Sequence, residues 1–190
     1  MAAPVDEPHQ SDSRSDQDLI AAINDGAADA FEVLYYRYRD WVVNLAYRFT
    51  ADRELALDVL QETFLYFVRK FPGFRLTAQL KTFLYPAVRN LSIAARRKTA
   101  RWQSEESDLE TMETSLATEP AIGENEPLKA VLALLSHEHR DVLLLRFVDG
   151  LNLAEIAVAL DIPLGTVKSR LHNALETLRN NPRTKTYFAQ

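Results

Sequence analysis

Residues 153–178 read LAEIAVALDIPLGTVKSRLHNALETL, and the spacing inside this stretch decides the fold. Ala154, Glu155, Ile156, Ala157 and Leu160 make an amphipathic helix too short to stand alone, with Ala157 small enough for another helix to approach closely. Asp161 stands at a turn that asks for a left-handed backbone, which Asp tolerates better than most residues. Ile162 is expected to bury in the corner. Pro163 fixes the start of the next helix, where its missing N–H costs nothing. Val167, Leu171, Ala174 and Leu178 then recur at helical spacing and face inward. Lys168, Ser169, Arg170, His172 and Asn173 are left largely outward, a set rich in groups that bond phosphates and base edges. This is the helix-turn-helix layout, whose second helix enters the major groove. A short helix with two cations also describes an ordinary solvated face, but spacing, turn and polar exposure agree on DNA.

Upstream, Val142, Leu143, Leu145 and Phe147 continue the helical pattern until Asp149 and Gly150 stop it, with Ser136 as the expected N-cap. Leu128, Val131, Leu132 and Leu135 precede them. Residues 99–126 have no apolar stripe and hold Pro120, Gly123 and eight acids, so they read as a linker. Further back, helical spacing predicts a short helix with Leu19, Ile20 and Ile23, ended by Gly26. A second carries Phe31, Leu34, Tyr35, Tyr38, Trp41, Val42, Leu45 and Phe49. A third, over 52–71, has Leu55, Val59, Leu60, Phe64 and Phe67 on one side and is broken by Pro72 and Gly73. A fourth runs from about Ala78 to the basic cluster Arg96, Arg97, Lys98. The expectation is an all-α protein: a disordered tail over 1–17, a helical domain over 18–98, an acidic linker over 99–126, a helix-turn-helix domain over 127–181 and a tail over 182–190.

The net charge of −5 argues against nucleic acid until it is mapped. Residues 27–98 carry twelve basic and seven acidic side chains, and residues 127–190 carry eight and six, so both folding parts are basic. The acid is concentrated in residues 1–26 and 99–126. Phosphate attraction is screened beyond roughly 10 Å, so the local balance matters more than the total. There are no cysteines, which excludes disulfides, thiolate metal sites and cysteine nucleophiles. No apolar run approaches the roughly 20 residues of a membrane span, and no signal-peptide pattern opens the chain, so a cytoplasmic protein without membrane insertion is expected. His137, Glu138 and His139 lack the four-residue spacing of a helical metal pair, and the five glycines form no phosphate loop. No catalytic residue, metal or cofactor is expected.

Glu155, Ile156, Ala157 followed by Gly165, Thr166, Val167, Lys168, Ser169, Arg170 and Leu171 resemble region 4 of sigma factors of the extracytoplasmic-function (ECF) type, within the sigma-70 family. The preceding Arg140, Val142, Leu143, Leu145, Arg146, Phe147 and Gly150 fit the same pattern. LuxR-type regulators share a similar helix-turn-helix, so this segment alone leaves both families open. The first half separates them. Asp58, Gln61, Glu62 and Phe64 resemble region 2.2, which docks on the β′ coiled coil of core RNA polymerase. Asp58 and Glu62 are one turn apart, so both can present acceptors on one face. The stretch from Phe71, Phe74 and Arg75 through Thr82, Phe83, Leu84, Tyr85, Arg89, Asn90 and Leu91 resembles regions 2.3 and 2.4.

The resemblance implies a transcription initiation factor that binds core polymerase (β′ coiled coil and β flap) and promoter DNA, with an anti-sigma factor or a kinase as a candidate regulator. Region 2 would bind and help open the −10 element through Phe74, Arg75, Lys81, Tyr85, Arg89, Asn90, Arg96 and Arg97, which supply stacking, backbone charge and base-edge contacts. Region 4 would read the −35 element through Thr166, Lys168, Ser169, Arg170, His172 and Asn173. Phe64, Phe67 and Phe83 are read as core.

Four departures from the family pattern stand out. Leu57 replaces a frequent acid, Phe83 a tryptophan and Asn173 an arginine, and Pro86 falls inside the fourth helix, where it is expected to kink it. With Leu57 lacking charge, Thr63 is a candidate regulatory position, since a phosphate would add about −1.5 to −2 charges beside Glu62. A regulator acting without polymerase would leave the region 2.2 acids without purpose. A helical protein-binding adaptor would need only the acidic surfaces.

Overall fold

Ser15 caps the first helix of the described residues: its hydroxyl accepts from Asp18 N, and the Asp18 carboxylate in turn accepts from Ser15 N. The computed structural model describes residues 12–106, 130–182 and 184, and among them every regular element is helical. These are α1 (Asp16–Asn24), α2 (Ala28–Thr50), α3 (Arg53–Val68), α4 (Leu80–Glu106), α5 (His137–Phe147), α6 (Leu153–Leu160) and α7 (Leu164–Asn180). Helices α1–α4 form one bundle, with α2, α3 and α4 packed mutually; α5–α7 form the second unit.

Three boundaries differ from the sequence expectation. Residues 12–17 were expected in a disordered tail, but Arg37 donates to Asp16 Oδ1 at 2.6 Å and to the carbonyls of Asp12 and Arg14 at 3.0 Å. The capping box then starts α1 at Asp16, two residues early. Helix α4 runs on to Glu106, through the first eight residues expected in the linker. Neither Gly nor Pro interrupts 99–106, and acids are no obstacle to helix; the remainder of the linker lies outside the described residues. At the far end Thr184 is 1% exposed, and its hydroxyl donates to the carbonyls of Leu178 and Asn181. The described chain therefore stays packed past 181.

Helix α4 also continues through Pro86, whose missing N–H withdraws the partner of the Thr82 carbonyl. In the helix-turn-helix, Asn152 and Glu155 close a capping box on α6, and Asp161 ends it at φ 53°, the left-handed conformation that the turn requires.

The larger apolar cluster does not stop at the domain boundary. It runs from Leu19, Leu34, Leu45, Phe67 and Leu84 into Val142, Leu145, Leu151, Ile156 and Val167. Helix α4 packs on α6, so the two units that the sequence separates with a linker lie against each other.

Candidate nucleic-acid and polymerase interface

Helix α3 divides its residues between two faces. Ala56, Val59, Leu60, Thr63, Phe64 and Phe67 are buried, while Asp58, Gln61 and Glu62 are exposed. Leu57 and Leu65 flank them at 43% and 48% exposure, so the acids sit on an apolar margin. An exposed carboxylate pair beside exposed leucines suits a partner helix carrying arginines over an apolar seam.

Thr63 belongs to the other face. It is fully buried, and its hydroxyl has no hydrogen-bond partner among the described residues. The expectation of a phosphorylation switch at Thr63, and with it the kinase, is therefore corrected: one residue beyond Glu62 turns about 100° around the helix, from solvent into the core. A buried unpaired hydroxyl is destabilising. Thr63→Val keeps the shape and removes the polar atom, and is expected to raise unfolding stability by about 1 kcal/mol. Urea denaturation at neutral pH measures it; a midpoint unchanged or lowered would contradict the reading.

The loop between α3 and α4 is held by a residue that sequence inspection passes over. Asn24, the last residue of α1, donates from Nδ2 to Phe74 O at 2.9 Å and accepts from Gly73 N at 2.6 Å. Phe74 is thereby set among Phe67, Phe71 and Phe83, with ring centroids 5.5, 5.6 and 4.7 Å away. It is half-buried, so only part of the ring is open to a base, while Arg75 beside it is exposed. Phe83 stacks on the more open Tyr66 at 5.9 Å, and Lys70 Nζ lies 4.5 Å from the Tyr66 ring centroid. This aromatic–cation surface lies beside the expected −10 reader, and its Tyr66 and Lys70 had not been singled out.

Tyr85 is a second correction. Expected to stack on DNA, it is 2% exposed and packs edge-on against Phe49. Its position follows from spacing: Leu84, Tyr85 and Val88 all lie on the buried face of α4, and burial pushes the phenol well above its ordinary pKa. Asn90 and Arg97 are exposed and Arg89 is half-buried. Arg96 donates to Phe49 O at 3.4 Å. Further along α4, Ala94, Arg97, Lys98, Arg101 and Trp102 line one shallow groove, and Trp102 is 68% exposed.

On α7, Val167 and Ala174 are buried, whereas Lys168, Ser169, His172 and Asn173 are exposed and Thr166 is half-buried. Arg170 is held by Glu138 of α5 at 3.1 Å. The Ser136 hydroxyl caps α5 as expected. His137 Nδ1 lies 3.2 Å from Asp141, whose carboxylate raises the imidazole pKa against the opposing effect of burial.

Asp149 joins the two units. Its carboxylate accepts from Trp41 Nε1 and Arg48 Nη2 of α2, and its backbone carbonyl accepts from Lys81 Nζ of α4. Sequence reading had treated Asp149 as a helix stop and Trp41 as a core residue. A pairing across 101 residues of chain leaves no local signal.

The chain matches two family descriptions in order: "Sigma-70 region 2" over residues 34–102 and "Sigma-70, region 4" over residues 131–180. Among curated proteins it is 30% identical over 183 residues to the ECF RNA polymerase sigma-E factor of Escherichia coli (strain K12), spanning 90% of this chain and 95% of that one. It is 29% identical over 177 residues to the ECF RNA polymerase sigma factor SigW of Bacillus subtilis (strain 168), spanning 86% and 95%. In structure it resembles CnrH, solved with the cytosolic domain of CnrY, at a TM-score of 0.61 and 21% identity over 85% of this chain and 93% of that chain. The sigma factor RpoE of Bartonella quintana, solved with the anti-sigma factor NepR, gives 0.58 and 21% identity over 79% and 94%.

Proposed function

The chain belongs to the ECF sigma factors of the sigma-70 family and is a transcription initiation factor that binds core RNA polymerase and promoter DNA; from that premise we propose how its residues divide the work. The unit α1–α4 serves as region 2. Asp58, Gln61 and Glu62 dock on the polymerase, and Phe74, Arg75, Lys81, Arg89, Asn90, Arg96 and Arg97 engage the −10 element. The unit α5–α7 serves as region 4, with Thr166, Lys168, Ser169, Arg170, His172 and Asn173 on the −35 element and the β flap as its contact on the enzyme. The chain between them crosses the polymerase surface. No step of bond chemistry falls to this protein, since phosphodiester formation belongs to the polymerase, and it works where that enzyme works, in the cytoplasm. An anti-sigma factor is a further partner, by analogy with RpoE, solved with the anti-sigma factor NepR.

The observation that carries this reading is the exposed acidic face of α3 in the same chain as a helix-turn-helix with exposed cations. Reconstitution with core polymerase and run-off transcription tests it. Promoter-dependent transcripts that need this chain are expected. DNA binding with no association with the core enzyme would identify a free regulator instead, and association without transcripts an adaptor.

A further inference from the structure

Residues 71–79 cross from α3 to α4 without helix, and they carry Phe74 and Arg75. Irregular backbone is costly in entropy to fix, so a loop of defined shape needs ties to the bundle. Residues 72–78 have two such ties, and both go to Asn24. Its Nδ2 donates to Phe74 O at 2.9 Å and its Oδ1 accepts from Gly73 N at 2.6 Å. Among the described residues, 72–78 make no other hydrogen bond. A neutral amide suits this pair, because it offers a donor and an acceptor in one plane, whereas an aspartate offers only acceptors.

Asn24 is itself fixed from the far end of its helix. Leu19 and Ile20 of α1 are buried in the core. Arg37 Nη1 reaches Asp16 Oδ1 at 2.6 Å, and the Tyr38 hydroxyl donates to Asp16 Oδ2. Helix α1 is therefore pinned to α2 at its first residue and to the α3–α4 loop at its last. The carbonyl that Asn24 grips is that of Phe74, so the bond orients the peptide joining Phe74 to Arg75. That peptide governs how the half-buried ring divides between its aromatic floor of Phe67, Phe71 and Phe83 and an incoming base. A stacking surface already in place binds better than one ordered at the moment of binding, since ordering subtracts from affinity.

We infer that Asn24 is a positioning residue for promoter opening: its paired bonds to Gly73 and Phe74 hold the Phe74 ring where it receives an unstacked base of the −10 element. This role rests on the −10 engagement proposed above for Phe74, and it brings in α1, which that engagement leaves out. Asn24 touches no DNA and acts only through the loop.

The test is equilibrium binding of holoenzyme, assembled with the full chain, to a fluorescent promoter fragment whose −10 element is pre-melted by mismatches. A matching set of fragments has one −10 base at a time replaced by an abasic residue. Asn24→Ala is expected to weaken binding to the intact fragment about tenfold and to erase the abasic penalty at one position, leaving the penalties elsewhere. A clamp that served only the fold would lower affinity for every fragment alike, so undiminished penalties at all positions would overturn the role. Phe74→Ala closes a double-mutant cycle: added to Asn24→Ala it should cost little more, and fully additive losses would also overturn the role. Association with core polymerase is expected to stay within about twofold, and its loss in Asn24→Ala would mean that the clamp supports the whole unit rather than the loop. Should Asn24→Ala melt below the assay temperature, Asn24→Asp takes its place. It keeps the acceptor for Gly73 N, removes the donor to Phe74 O and must erase the same penalty. The unaltered chain separates the two layers. Phe74→Ala without effect in it would overturn the −10 assignment and this role together, whereas a Phe74-dependent penalty that survives Asn24→Ala overturns this role alone.

Discussion

Asp58→Lys combined with Glu62→Lys is expected to abolish assembly with core RNA polymerase while leaving the fold intact. Both side chains are exposed on α3, and the core residues of that helix lie on the opposite face. Like charges brought together at an interface cost several kcal/mol. Since each 1.4 kcal/mol is tenfold, a cost of about 4 kcal/mol would weaken binding by roughly a thousandfold. Co-purification with core enzyme measures the loss, and a circular-dichroism melt checks the fold. Retained assembly by a folded double variant would move docking elsewhere. The flanking Leu57 and Leu65 sharpen the prediction. With apolar surface on both sides, partial apolar contact survives neutralisation of the acids, so reversal is the stronger test than alanine.

Arg170→Ala carries the second large effect. A bidentate contact with a guanine is worth about 1–3 kcal/mol of discrimination, so the variant should lose that much promoter binding and relax preference at one −35 position. Lys168→Ala should weaken all sequences alike and flatten the salt dependence, as the loss of a phosphate contact does. Holoenzyme binding to a set of single-position promoter variants distinguishes the patterns. If neither substitution changed binding, α7 would not be the reading helix. Because Glu138 of the same unit holds Arg170 at 3.1 Å, Glu138→Gln should also free it and raise promoter affinity modestly.

The recognition unit was legible because its determinants are local. A left-handed Asp161 and apolar residues three and four apart each act within one or two turns, and the structure places both as the spacing required. The exposed face of α3 was legible for the same reason. Thr63 was misplaced because the role of its neighbour Glu62 was extended to it without following the helical rotation, and Tyr85 because its place in the family stretch was read as exposure; both point into the core. The ends of α1 and α4 were misplaced because composition alone, rich in Ser and Asp or in acids, was read as disorder. Long-range ties from Arg37 and good helix formers outweigh it.

What the sequence determined by itself was the all-helical class, the two units, the helix-turn-helix and the acidic and basic faces. These depend on periodicity, caps and turns, whose energies are settled between residues a few positions apart. The tertiary structure alone decided that Asn24 holds the Phe74 loop, that the two units close on each other, and that Asp149 meets Trp41, Arg48 and Lys81. Those pairings join residues about fifty to a hundred positions apart, where no period links donor to acceptor. Only the packing of whole helices brings them within hydrogen-bond reach.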